Sequence, residues 1–355
     1  MPHGRDPVTP TGTSVHRAAL AHLYPGYFAF VMATGIVSTA AEIFRLEVFS
    51  LLLLAVATAG YCVLVVLYAA RLFLHPQEVL QDARTPGKTF GFFTFVAASN
   101  VLAVRYFSAS DIHLSLLLGG VGTVAWLVLT YTIPVGLMLG RSDQRLGPSV
   151  NGSWLIWVVA TQSVSTIGSV LAGGGGPQAA LLAFLATSYW AIGAVLYLVL
   201  IAIIMARLLL SGTSAEELTP TYWISMGATA ITVLAGARLL AAPLPGPLMA
   251  FQPVVLGVSF MLWAFGSFWI PALLLFGAWR YGHGGQPLSY EPALWSMVFP
   301  MGMYATATDL FGKAAGLPWL SPIALVASYV AYVAWGAVFL ALLGSWLSRG
   351  LRIGG

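Results

Sequence analysis

Nine stretches of this chain contain no Asp, Glu, Lys or Arg: 18–41, 48–70, 89–104, 112–140, 146–206, 218–237, 239–279, 292–308 and 314–348. A helix needs about 20 residues to cross roughly 30 Å of hydrocarbon, where a charged side chain is expensive. The 61-residue stretch 146–206 therefore holds two helices, parted at Gly173, Gly174, Gly175, Gly176 and Pro177, a run that no helix survives. The 41-residue stretch 239–279 holds one, preceded by a turn with Pro243, Pro245 and Pro247. The expectation is an all-α polytopic membrane protein of ten transmembrane helices. The third and ninth stretches have only 16 and 17 uncharged residues, but Lys88, Arg105 and Lys313 flank them and can snorkel. A composition with 59% hydrophobic and 7% charged residues excludes the alternatives. So few charges cannot cover a water-facing surface, and so apolar a chain does not stay disordered.

Placing both termini on one side puts eleven Lys and Arg there: Arg5, Arg17, Arg71, Arg84, Lys88, Arg141, Arg145, Arg207, Arg280, Arg349 and Arg352. The other side holds Arg45, Arg105, Arg238 and Lys313. This bias predicts cytoplasmic termini in a multi-pass cell-membrane protein. The division is a cytoplasmic N-terminal tail at 1–19, a ten-helix channel or transporter domain at 20–348 and a cytoplasmic C-terminal tail at 349–355. The first 23 residues lack the apolar core and cleavage site of a signal peptide. The net charge of +4 is read as this topology bias rather than as a nucleic-acid surface, and the single Cys62 supports no intrachain disulfide.

A proline precedes every odd-numbered span: Pro25, Pro86, Pro148, Pro220 and Pro292, spaced 61, 62, 72 and 72 residues apart. An aromatic follows each within three to six residues: Phe28, Phe90, Trp154, Trp223 and Trp295. Proline suits a first helical turn and the aromatic suits the membrane interface. Five in phase predicts five helical hairpins in a quasi-fivefold array. The two helices of each pair differ. Ser, Thr, Asn and Gln make up 26% of the odd helix cores and 10% of the even ones. Polar groups are costly against lipid, so the odd helices should face inward and enclose a central pore; gluing helices together is the competing use of such residues.

No enzyme signature occurs: no His-Glu-x-x-His, no phosphate loop and no nucleophile elbow. The six histidines do not cluster, and no cofactor or metal is expected. Asn151 begins a glycosylation-like triplet, but on the cytoplasmic side of this topology. No carboxylate falls near mid-membrane, which favours an anion or neutral solute over a cation. The odd helices present their positive dipole ends to the cytoplasmic mouth. Arg45, Arg105, Arg238 and Lys313, at their external ends, form a candidate electrostatic funnel, each also readable as an interfacial anchor. Candidate pore-lining donors are Thr34, Ser38, Thr94, Ser99, Thr161, Ser163, Ser165, Ser225, Thr229 and Thr306. Gly35, Gly168 and Gly227 are helix-bend candidates, and Pro300 bends the ninth span. Phe299, eight residues beyond Glu291 and so about 12 Å deep, can plug a narrow pore or simply pack.

The segments 24–38 (YPGYFAFVMATGIVS), 220–236 (PTYWISMGATAITVLAG) and 294–308 (LWSMVFPMGMYATAT) resemble the tellurite-resistance/dicarboxylate transporter family, which includes the slow-type anion channels of plants. The resemblance spans about 20–348. It implies a homotrimer with one pore per protomer lined by the five odd helices. It also implies that Phe299, in its Phe-Pro context, closes that pore. Channel members bend several inner helices with proline; here only the ninth carries one. The family's substrates are chloride, nitrate, malate and other C4-dicarboxylates, and sulfite. The reading is an anion channel or facilitator first, with a proton-coupled carrier of malate-like dicarboxylates or sulfite as the alternative.

Overall fold

A computed structural model describes residues 19–140, 149–242 and 246–353. Pro148, Pro243, Pro245, Arg5, Arg17, Arg141, Arg145 and nearly all of the 1–19 tail lie outside the described residues, as do the side chains of Arg349 and Arg352. Ten helices organise the rest: α1 (Ala29–Ile43), α2 (Glu47–Leu74), α3 (Phe93–Ser108), α4 (Ile112–Leu139), α5 (Ile156–Gly173), α6 (Ala179–Leu210), α7 (Ile224–Ala241), α8 (Gln252–Ala278), α9 (Trp295–Ala314) and α10 (Leu320–Ile353). No strand occurs among the described residues. The last helix runs beyond 348, so the predicted C-terminal tail is partly helical.

Eight of these helices, all but α1 and α9, are long and apolar enough to cross a membrane by themselves. The two remaining spans of the sequence expectation, α1 and α9, fall outside this length-and-composition measure. α1 has 15 residues, and α9 carries Asp309 and Lys313. Both are enclosed by other helices, which releases them from the demand that lipid makes on an exposed helix. Burial separates two classes. The apolar windows of α3, α5 and α7 are 78–83% buried, those of α2, α4, α6, α8 and α10 only 22–39%.

The buried helices pack on one another in sequence: α1 on α3, α3 on α5, α5 on α7, α7 on α9 and α9 back on α1. Each exposed helix packs on the buried helix before it in the chain. Two devices set this spacing. First, an outer glycine receives a side chain of its own partner. A Cβ at Gly60 would lie 2.5 Å from Phe30, at Gly122 2.4 Å from Asn100, at Gly193 2.4 Å from Gln162 and at Gly266 2.2 Å from Thr229. Small residues of this kind bring helices close where lipid offers no hydrophobic drive. Second, an outer aromatic bonds to the next buried helix. The indole N–H groups of Trp126, Trp190, Trp263 and Trp335 donate to Thr161 Oγ1, Thr232 O, Thr308 Oγ1 and Thr34 Oγ1. In the fifth case the Tyr61 hydroxyl meets Ser99 Oγ at 2.9 Å.

A 3-10 turn leads into each of the later buried helices, at Thr89–Phe92, Gly152–Leu155, Pro220–Trp223 and Pro292–Leu294. Pro220 and Pro292 therefore open 3-10 turns rather than the α-helices themselves. These turns touch: a Cβ at Gly152 would stand 2.1 Å from Thr221 O. Asn151 caps its turn, accepting from the Ser153 amide at 2.8 Å. At the same end, arginines on or just after outer helices hold the connecting loops. Arg71 pairs with Asp82 at 2.6 Å and donates to Ala21 O, Arg207 pairs with Glu217 at 3.1 Å, and Arg280 pairs with Glu291 at 3.2 Å.

Candidate functional site

All five buried helices contribute to one small axial cavity. It is lined by Ile36 and Thr39 from α1, Asn100, Val101 and Val104 from α3, Ser163 and Thr166 from α5, Ile231, Leu234 and Arg238 from α7, and Met303 from α9. Its volume of about 20 Å³ is enough to hold water. Asn100 Nδ2 donates to Ser163 Oγ at 2.9 Å across the α3–α5 contact. Thr39 and Thr166 return their hydroxyls to the carbonyls of Gly35 and Gln162 in their own helices. Arg238 Nε is buried without a hydrogen-bond partner.

Phe299 does not line the cavity itself but stands next to it. It precedes Met303 by four residues and so shares its face of α9, one turn nearer the helix N-terminus. The equivalent step back on the other helices gives Met32, Ala97, Val159 and Gly227, all buried. Phe299 is 0% exposed and is the largest side chain of this layer. Pro300 beside it has no N–H for the carbonyl of Ser296, and its ring occupies the space left by Gly227, where a Cβ would lie 2.7 Å from Pro300 Cγ. Gly35 and Gly168 likewise sit at close contacts, with Val101 and Ala186, in helices that run unbroken through them.

Of the ten candidate hydroxyls, Ser163 lines the cavity. Several others engage the outer helices instead. Thr34 and Thr161 accept the indoles of Trp335 and Trp126, Ser99 meets Tyr61, Ser165 donates to Ala186 O, and Thr229 packs on Gly266. Ser38 bonds to Ser50 of α2 and accepts from Arg105 Nε at 3.2 Å. Thr94 donates to Gly91 O and Thr306 to Gly302 O, while Ser225 Oγ is buried without a partner.

The four funnel residues divide as well. Arg45 is exposed. Lys313 is ion-paired to the buried Asp309 at 2.6 Å. Arg105 is itself buried, 3.2 Å from Glu42 and 3.0 Å from Ser50 Oγ. Only Arg238 reaches the axial cavity. Asn100, Thr39 and Thr166 also line it and escaped the sequence reading. Thr39 stands four residues after Gly35, Thr166 three after Ser163 and Asn100 directly after Ser99, a signal legible only once the inward face was known. Among the described residues no three His, Cys, Asp or Glu side chains stand together as metal ligands. A far larger cleft, about 1410 Å³, lies outside the ring between α2, α3 and α4, and its lining is overwhelmingly apolar.

The chain matches the model of the voltage-dependent anion channel family over residues 22–343. It is 40% identical over 148 residues to an uncharacterized membrane protein of Mycobacterium tuberculosis, covering 42% of this chain and 75% of that protein. Two uncharacterized transporters of Methanocaldococcus jannaschii are each 23% identical, over 82% and 83% of this chain and 85% of their own length.

Proposed function

This chain belongs to the voltage-dependent anion channel family, and from that premise we propose that it is an anion channel or facilitator whose path runs along the axis between α1, α3, α5, α7 and α9. In this reading ten crossings form five hairpins, both termini are cytoplasmic, the protein sits in the cell membrane as a homotrimer, and the cargo is a small anion such as chloride or nitrate. Phe299 is the gate. One observation carries this assignment: Phe299, fully buried, stands one turn before the cavity-lining Met303 on α9 and is bulkier than its counterparts Met32, Ala97, Val159 and Gly227. A phenyl ring in an apolar constriction expels water and stops ions until it moves. Above it the path widens into the cavity that Arg238 reaches.

The carrier of malate-like dicarboxylates or sulfite is the second reading. Proton coupling calls for a titratable switch beside the path, and the axial cavity is lined by no carboxylate. That composition favours the channel. Anion current through oocytes or planar bilayers tests the gate: Phe299→Ala should conduct far more than the parent chain, and an equal current from equal surface protein would reject it. Uptake into proteoliposomes separates the two readings. Accumulation driven by an imposed pH gradient means a carrier; flux that only follows the anion's own gradient means a channel.

A further inference from the structure

We infer that the large cleft between α2, α3 and α4 binds one anionic phospholipid, with acyl chain in the groove and phosphate on Arg84. The site stands apart from the channel reading; only its leaflet, the one proposed as cytoplasmic, follows the topology given above.

Shape comes first. The cleft holds about 1410 Å³, more than the ~300–1,000 Å³ of ordinary small-molecule pockets. Its α4 wall runs from Ala125, mid-helix, to Gly140 at the C-terminal end, about 22 Å at 1.5 Å per residue. One leaflet of a roughly 30 Å hydrocarbon core is about 15 Å deep, so the groove takes an extended chain over that whole depth. Phe28, Phe92 and Phe95 line its inner side, where α1 and α3 begin. The short helix Pro76–Arg84, in the loop after α2, adds Val79, Leu80 and Ala83 to the same wall. An interfacial helix with one apolar face suits the headgroup boundary.

Polarity comes second. The three hydroxyls of the lining are already spent. Tyr68 donates to Tyr24 O, Thr85 to Gln81 O and Thr132 to Val128 O. The body of the cleft therefore offers a polar solute nothing, and a methylene chain matches its walls.

Charge comes third. Among the described residues Arg84 is the one charged side chain that lines the cleft, and it takes part in none of the ion pairs. Its neighbours Arg71 and Lys88 both hold Asp82, at 2.6 and 3.0 Å. An unpaired guanidinium at the end of an apolar groove between membrane helices fits a lipid phosphate, which it can grip with two parallel hydrogen bonds. A zwitterionic headgroup carries its own ammonium beside the phosphate, so an anionic one binds better.

The test is native mass spectrometry of the purified full chain in detergent micelles, titrated with phosphatidylglycerol and with phosphatidylcholine of the same chains. One phosphatidylglycerol per chain should be retained, roughly tenfold more tightly than phosphatidylcholine, the difference expected for one charge-assisted hydrogen bond. Arg84→Gln should bring the two lipids level, and Arg84→Lys should keep part of the preference. Gly136→Phe fills the groove from a position where a Cβ meets nothing within 4 Å, so the fold is kept; it should lose both lipids. An unchanged preference in Arg84→Gln, or unchanged lipid retention in Gly136→Phe, would overturn the site. Displacement of the lipid by inorganic phosphate would also overturn it, as the mark of a surface anion site. A changed oligomeric state in Gly136→Phe would do the same, as the mark of a contact between copies. None of these readouts involves current, so failure of the lipid site leaves the channel reading standing, and failure of the channel reading leaves the lipid site.

Discussion

The axis of the bundle and the seams around it are made of opposite materials. The axis is narrow and mostly apolar: Phe299, Met303, Ile36, Val101, Val104, Ile231 and Leu234, with a polar arc of Asn100, Ser163, Thr39, Thr166 and Arg238 on one level. The seams between buried and exposed helices hold most of the remaining hydroxyls, the glycines and the indole N–H groups. The polar residues that single out the odd helices thus mainly join those helices to their neighbours. In lipid, close packing and interhelical hydrogen bonds are what hold helices together. An axis that must stay shut to water needs neither. In the proposed reading, stability and conduction thus fall to different faces of the same helices.

That separation can be broken in order of effect. Gly152→Val drives a branched side chain onto the Thr221 carbonyl, where even a Cβ would stand at 2.1 Å. It should cost about 3 kcal/mol or more and leave little monodisperse protein by size-exclusion chromatography. Phe299→Ala strikes the axis. Anion current should rise about tenfold or more as the constriction wets, while surface expression changes little. Trp263→Phe cuts the indole bond to Thr308 in the α8–α9 seam. It should lower stability by about 0.6 kcal/mol, read as a small fall in melting temperature, with ion selectivity unchanged. Arg45→Ala removes an exposed charge and should alter current by less than about twofold at low salt, an effect that fades at 1 M salt. A shift in selectivity from Trp263→Phe, or a collapse of the fold from Phe299→Ala, would contradict the division between seam and axis.

Much of the architecture was open to reading from residues alone. Charge-free lengths located the helices, and the content of Ser, Thr, Asn and Gln separated two classes that differ in burial. The direction of each hydroxyl was not open to reading. Thr161, Ser163 and Ser165 stand two apart, so each step turns about 200° around the helix. They reach Trp126 of α4, the axis, and Ala186 of α6 in turn. Composition counts all three alike. The surroundings of the arginines were hidden for a related reason. Arg71, Arg207 and Arg280 enter a topology count as loop charges, yet each is buried and paired with an acid ten or eleven residues further on. Arg105 looks like part of an outer funnel and is spent within α1, α2 and α3.

The two seam devices point in opposite directions around the ring. Four of the five exposed helices nest against their own partner through a glycine, and all five reach with an aromatic tip for the following one. The parts overlap like the leaves of a camera iris, every leaf lying on the next in the same sense. Leaves hung this way do not swing singly. Under the proposed gate, a widening at the centre would then be shared around the ring, and a push on one rim helix would reach Phe299.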